Sequence, residues 1–308
     1  MLNKKIIGLL ILATTLVGCG NSSEVSSETP SASSELPSSV SSSSSSEASS
    51  LDPSIYVPTS ETTPAPAYTG NYYDSVNLEL TGTALRDALY ARIRNGFNNI
   101  TYTAAWNAVK EMDQDNHNSN NIITIYARRS MSKSQTGSSG NVWNREHSYP
   151  QSKLGKDASA GTANIASDVA NLFAADAEMN STRSNYSYNN VTFSRPTYLT
   201  DATGQKTDNK MYSGNFEPTD LAKGEIARAN LYMMLMYPVD CTLNENGPIE
   251  ALLEWNRDFG PNVERDLQRQ AGIYKYQNNR NPFIDHPELA CKIWGDTNKN
   301  TRTVCGIA

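Results

Sequence analysis

A tract that is nearly half serine divides this chain, and it limits where a folded core can lie. Residues 20–60 hold 19 Ser in 41 positions and a single aromatic residue, Tyr56. Such a stretch cannot bury enough apolar surface to offset the entropy of ordering it. It reads as a disordered tether over 20–66, loosened by Ser and stiffened at its distal end by Pro53, Pro58, Pro64 and Pro66. Before it, Lys4 and Lys5 precede a mostly apolar run from Ile6 to Val17, too short to span a bilayer and flanked as an export signal is. After it, residues 67–308 are long enough for one well-buried domain. With 38% hydrophobic residues concentrated there, the composition excludes a multipass membrane protein, a coiled coil and a small disulfide scaffold.

The apolar run ends Leu16-Val17-Gly18-Cys19. That ending resembles the lipobox of bacterial lipoproteins, which implies residues 1–19 as signal peptide and Cys19 as the lipidated residue. The resemblance implies several acyl chains, and more than one suffices for stable anchoring. Cys241, Cys291 and Cys305 remain, an odd number, so at least one lacks an intramolecular partner. Cys291 and Cys305 are the nearer pair in sequence, which does not fix the pairing.

The domain reads as α+β and mostly helical. Leu85, Leu89 and Ile93 recur at helical spacing behind a possible Thr83 cap. Further helices are expected over Tyr102–Met112, from Ser167 or Asp168 to about Asn180, over Leu221–Tyr237, Ile249–Asp258 and Asn262–Tyr276, and from about Asp285 to Gly295. Asn121–Arg128, β-branched and aromatic, reads as a strand, and a Gly/Ser turn separates it from Asn141–Tyr149.

The chemistry concentrates between residues 143 and 185. Of three His, His117 lies in a polar loop and His286 at a helix start. His147 instead directly follows Arg145 and Glu146. Histidine suits a general base near neutral pH, and a carboxylate can bind a hard cation that keeps most of its waters. The amide of Asn180 is a candidate second ligand, and Arg183 and Asn185 follow it within about a turn.

The run Trp143-Asn144-Arg145-Glu146-His147-Ser148-Tyr149-Pro150 resembles the Asn-Arg-Glu-His motif of the endonuclease I family, bacterial secreted or periplasmic nucleases. Ser167-Asp168-Val169-Ala170-Asn171-Leu172-Phe173 and Asn180-Ser181-Thr182-Arg183-Ser184-Asn185 resemble the second half of that signature. Asn279-Arg280-Asn281-Pro282-Phe283 resembles its C-terminal block. The resemblance spans roughly 70–296. It implies a helical domain around a central ββα-metal (His-Me finger) motif, with His147 activating water and Glu146 and Asn180 holding one Mg2+, Ca2+ or Mn2+ being the alternatives. Arg183 and Arg145 would contact substrate. Asp168 and Asn185 would support the site. Ala170 and Asn256 depart from the family pattern, where many relatives carry His. An Arg that some relatives place on the cleaved phosphate has no clear counterpart, and Lys153 and Lys156 are the nearby cations.

The net charge of −6 is not that of a generic polycation. Without Lys4, Lys5 and the five acids of residues 20–60, the remainder has 24 basic and 27 acidic residues. Within residues 121–160, however, Arg128, Arg129, Lys133, Arg145, Lys153 and Lys156 face only Glu146 and Asp157, a local +4 suited to phosphate contacts. No base-reading signature occurs. The expectation is a monomeric, extracellular, membrane-tethered nuclease cutting DNA, and also RNA, with low sequence specificity. A surface lipoprotein that binds DNA without cutting it, and a phosphodiesterase for small substrates, are the competing readings.

Overall fold

The computed structural model describes residues 63–192 and 195–308. The expected signal segment with Cys19, and the expected tether up to residue 62, lie outside the described residues. Residues 63–65 lie against the far end of the sequence. The Ala65 amide donates to the Pro261 carbonyl (2.9 Å), and the Val263 amide to the Thr63 carbonyl (3.0 Å).

Helix α1 (Gly82–Arg94) buries Leu85, Leu89 and Ile93, the face that their spacing predicts, although it starts after Thr81 and not at Thr83. Helix α2 (Ala105–Met112) buries Val109 and Met112 and begins later than expected, because Thr101–Ala104 form a turn. Trp106 stays half-exposed, edge-on to Trp143. Strands β1 (Gln114–Asp115), β2 (Asn118–Ile123) and β3 (Ser130–Ser132) make a small antiparallel sheet. The strand expected to reach Arg128 therefore stops at Ile123. The chain turns back over 124–129, which releases Tyr126 into the core.

Strand β4 (Trp143–His147) pairs antiparallel with β5 (Leu172–Asp176), His147 opposite Leu172 and Glu146 opposite Phe173. Helix α3 (Ala177–Arg183) follows directly, the Asp176 carboxylate accepting from the Met179 amide. This corrects the helix expected from Ser167 or Asp168 to Asn180. The segment is instead two short 3-10 turns, a strand and a seven-residue helix. All five residues of β5 are buried, and a short apolar run carries no periodicity that separates strand from buried helix.

A four-stranded sheet, in the order β6-β9-β8-β7, is built from β6 (Ser187–Tyr188), β7 (Thr197–Thr200), β8 (Lys206–Tyr212) and β9 (Asn215–Glu217). Next in sequence comes α4 (Asp220–Met236), which matches the expected Leu221–Tyr237 to within a residue and is buried on nearly every side. Helix α5 (Ile249–Asp258) packs against α4 and matches the expected bounds. A π-turn, Val263–Leu267, leads into α6 (Gln268–Gln277). The C-terminal part is divided into α7 (Pro282–Asp285), α8 (Leu289–Trp294) and α9 (Lys299–Val304). Cys291 and Cys305 form a disulfide, and Cys241 is a buried free thiol. The fold is α+β, as expected. Among the described residues no helix is long and apolar enough to cross a membrane.

Candidate active site

Successive residues of β4 alternate between its two faces. Arg145 and His147 share one face with Trp143, while Asn144 and Glu146 occupy the other. On the first face the Arg145 guanidinium lies 3.5 Å from the ring centre of Tyr102 and 4.1 Å from that of Trp106. The same Tyr102 ring stacks on His147, with centroids 5.6 Å apart and planes at 23°.

His147 is 8% exposed, and its Nε2 lies 2.8 Å from the Ala166 carbonyl oxygen. A carbonyl can only accept, so Nε2 carries the hydrogen and Nδ1 keeps the lone pair. Burial, aided by Arg145 and Arg183 and opposed by the Ala166 bond, lowers the pKa of His147 to about 4. The imidazole is therefore neutral at neutral pH, in a fixed tautomer ready to accept a proton at Nδ1.

Glu146 is 3% exposed. Its Oε1 accepts from the Tyr126 hydroxyl (2.6 Å) and faces Nη1 of Arg183 (3.1 Å). Burial raises its pKa, and Arg183 and Tyr126 oppose that rise. From α3, Asn180 reaches back to β4, its Nδ2 donating to Asn144 Oδ1 (2.6 Å) and to the Arg145 carbonyl (3.4 Å). Those bonds orient the amide so that its oxygen is the atom left for a ligand. Two hard oxygen donors fit a cation such as Mg2+, which keeps several waters and takes one or two protein ligands. Among the described residues no group of three or more His, Cys, Asp or Glu is placed to hold a metal ion.

Arg183 is placed differently from the substrate contact that the sequence suggests. It is fully buried, and besides Glu146 it donates to the carbonyls of His147 (3.2 Å) and Ser148 (2.9 Å). It clamps the end of β4 and does not present a free guanidinium to solvent. Arg145, half-buried between Tyr102 and Trp106, also donates to the Tyr102 carbonyl. Asn171 pins the segment after His147 by bonding both the amide (2.6 Å) and the carbonyl (3.0 Å) of Tyr149. Asp168 accepts from the hydroxyls of Tyr232 and Tyr237 on and beside α4, a structural role. Asn185 is exposed and its amide donates to Ser152 Oγ (3.3 Å).

The local positive charge is not a surface strip. Arg128 and Arg129 are buried, the first paired with Glu225 (2.6 Å), the second with Asp176 (2.7 Å) and Asp201 (3.4 Å). Lys153 donates to the Glu245 carbonyl (2.8 Å), and Lys156 is exposed. Charge counted along a sequence overlooks carboxylates that the fold brings in from elsewhere. Sequence reasoning also missed Tyr102, Tyr126, Asn144 and the Ala166 carbonyl. The tyrosines lie outside the motif, and a backbone carbonyl leaves no mark in a residue pattern.

A model of the Endonuclease I family matches residues 81–288. The chain belongs to the Endonuclease I family. Its relatives include an extracellular ribonuclease of Bacillus amyloliquefaciens, 37% identical over 74% of this chain and 79% of the relative. An extracellular ribonuclease of Bacillus subtilis is likewise 37% identical, over 75% of this chain and 81% of its own. A periplasmic deoxyribonuclease of Aeromonas hydrophila is 30% identical over 38% of this chain and 47% of its own. In this Endonuclease I chain the matched span contains β4, β5 and α3, and with them His147, Glu146 and Asn180.

Proposed function

We propose that the protein is an exported, divalent-metal-dependent nuclease that hydrolyses phosphodiester bonds of DNA and RNA with low sequence specificity. The observation that carries this reading is His147, held in one tautomer by Ala166, on a strand that also bears Glu146 and is met by Asn180 from the helix after the paired strand. That strand–strand–helix order supports a ββα-metal (His-Me finger) site. RNA stands beside DNA because the relatives matched over about three-quarters of the chain are named ribonucleases.

In this mechanism Nδ1 of His147 takes a proton from the attacking water, while Nε2 holds the ring to Ala166. Tyr102 limits rotation of the imidazole. Glu146 and Asn180 would hold Mg2+, which when bound supplies positive charge at the phosphoryl oxygens and the departing 3′-oxygen. Arg183 fixes the Glu146 carboxylate relative to the backbone of His147 and Ser148, so base and ligand keep a constant separation. Cleavage on the 3′-oxygen side leaves 5′-phosphates.

Plasmid DNA and a mixed RNA, incubated with the purified protein in Mg2+ or in EDTA, test this. Both substrates should be cut in Mg2+ only, and His147→Ala should slow cutting by about 10²–10⁴-fold. Binding without cutting in Mg2+ overturns the reading, and cleavage of small diesters alone replaces it with a phosphodiesterase. We further propose that the chain is exported with Cys19 lipidated, in keeping with relatives named extracellular or periplasmic. Labelled palmitate should then enter the wild type but not Cys19→Ala, and the variant should appear in the medium.

A further inference from the structure

Glu146 stands at the end of a line of buried hydrogen bonds whose direction is fixed by the carboxylate. A carboxylate only accepts, so Tyr126 gives its single hydroxyl proton to Glu146 Oε1 (2.6 Å). Tyr126 must then accept at its 2.6 Å contact with the Tyr188 hydroxyl. Tyr188 therefore donates its own hydroxyl proton there.

Both bonds therefore point toward the carboxylate. Hydrogen bonds aligned in one sense polarise one another, most effectively where water is excluded. Tyr126 and Tyr188 are both fully buried. The two side-chain donors to Glu146, Tyr126 and Arg183, both fall on Oε1. Oε2 is the oxygen that neither of them occupies.

We propose that this one-way chain positions the Glu146 carboxylate for its cation, with Tyr126 and Tyr188 as positioning residues. The proposal rests on the reading of Glu146 as a metal ligand. Partners of metal ligands typically change metal affinity by about 10–100-fold when removed, whereas a tyrosine that only fills space keeps its packing as phenylalanine.

Mn2+ binding to the purified full-length chain, read as free Mn2+ by electron paramagnetic resonance, tests it without reference to activity. Tyr126→Phe should weaken binding by about 10-fold or more, and Tyr188→Phe should weaken it less. The double variant should bind no more weakly than Tyr126→Phe, since Tyr188 acts only through the Tyr126 oxygen. In cleavage assays the Mn2+ concentration at half-maximal rate should rise in step, with KM for nucleic acid at saturating Mn2+ unchanged. A folded Tyr126→Phe with wild-type affinity, beside a Glu146→Gln that has lost binding, overturns the chain but leaves Glu146 as ligand. Wild-type Mn2+ affinity in Glu146→Gln overturns the ligand reading and the chain with it. Should Tyr126→Phe fail to fold, Tyr188→Phe decides, and an unchanged affinity there overturns the proposal.

Discussion

The guanidinium of Arg183 is directed entirely into the protein. It meets one carboxylate and two consecutive carbonyls at the end of β4 and lies over the Tyr188 ring at 4.4 Å. Breaking a buried ion pair from one side leaves an uncompensated charge, so Arg183→Met should lower unfolding free energy by about 3–5 kcal/mol, measured by urea denaturation. The same variant should leave the salt dependence of nucleic-acid binding unchanged. A slope reduced by about one unit would instead mark Arg183 as a phosphate contact. At this scale the motif made His147, Glu146 and Asn180 legible as candidates, because the role proposed for each lies in its own side chain. Its supports were not legible. Tyr126 stands 20 residues from Glu146, and Ala166 acts on His147 through a backbone oxygen 19 residues away.

Elements were legible where one face is buried and the other is wet. Helix α1 shows that pattern, and its buried residues were readable from spacing. Strand β5 is buried throughout and gave no such signal. Helix α4 is buried on nearly every side and carries Glu225 and Arg228 among its buried residues, so its partners had to come from the fold. Its close packing depends on Gly224, where an added Cβ would stand 2.0 Å from the Phe259 carbonyl oxygen and 2.9 Å from the Arg228 guanidinium. Gly224→Ala should therefore lower the thermal unfolding midpoint, with a stability loss of about 1–3 kcal/mol from overpacking. Calorimetry checks it, and an unchanged midpoint would mean that the C-terminal end of α5 gives way freely.

Across the whole molecule, buried charge joins segments far apart in sequence. Glu225 of α4 meets Arg128 (2.6 Å) and Arg265 (3.2 Å), and Asp113, after α2, meets Arg265 (3.2 Å) and Arg269 (2.5 Å). Burial alone would raise the pKa of Glu225, but Arg128, Arg265 and Arg269 outweigh it and bring the value down to about 2. A carboxyl whose folded pKa is depressed contributes stability above its unfolded pKa, near 4.3, and loses it as pH falls through the folded value. Urea midpoints should accordingly fall between about pH 4 and about pH 2. A profile flat across that window would show that the network does not hold the domain together.

The sequence by itself determined the division into export signal, serine-rich stretch and domain as expectations, the face of α1, the bounds of α5, and the candidate base and ligands. Those depend on composition, short-range period and the chemistry of single residues, all contained within a few turns of chain. Only the tertiary structure decided which nitrogen of His147 carries its hydrogen, that Arg128 and Arg129 are neutralised inside, and which way the bonds behind Glu146 run. A hydrogen bond's direction and a buried charge's compensation are properties of pairs. Here the pairs join residues as far apart as Arg129 and Asp176, 47 positions, or Asp113 and Arg265, 152 positions.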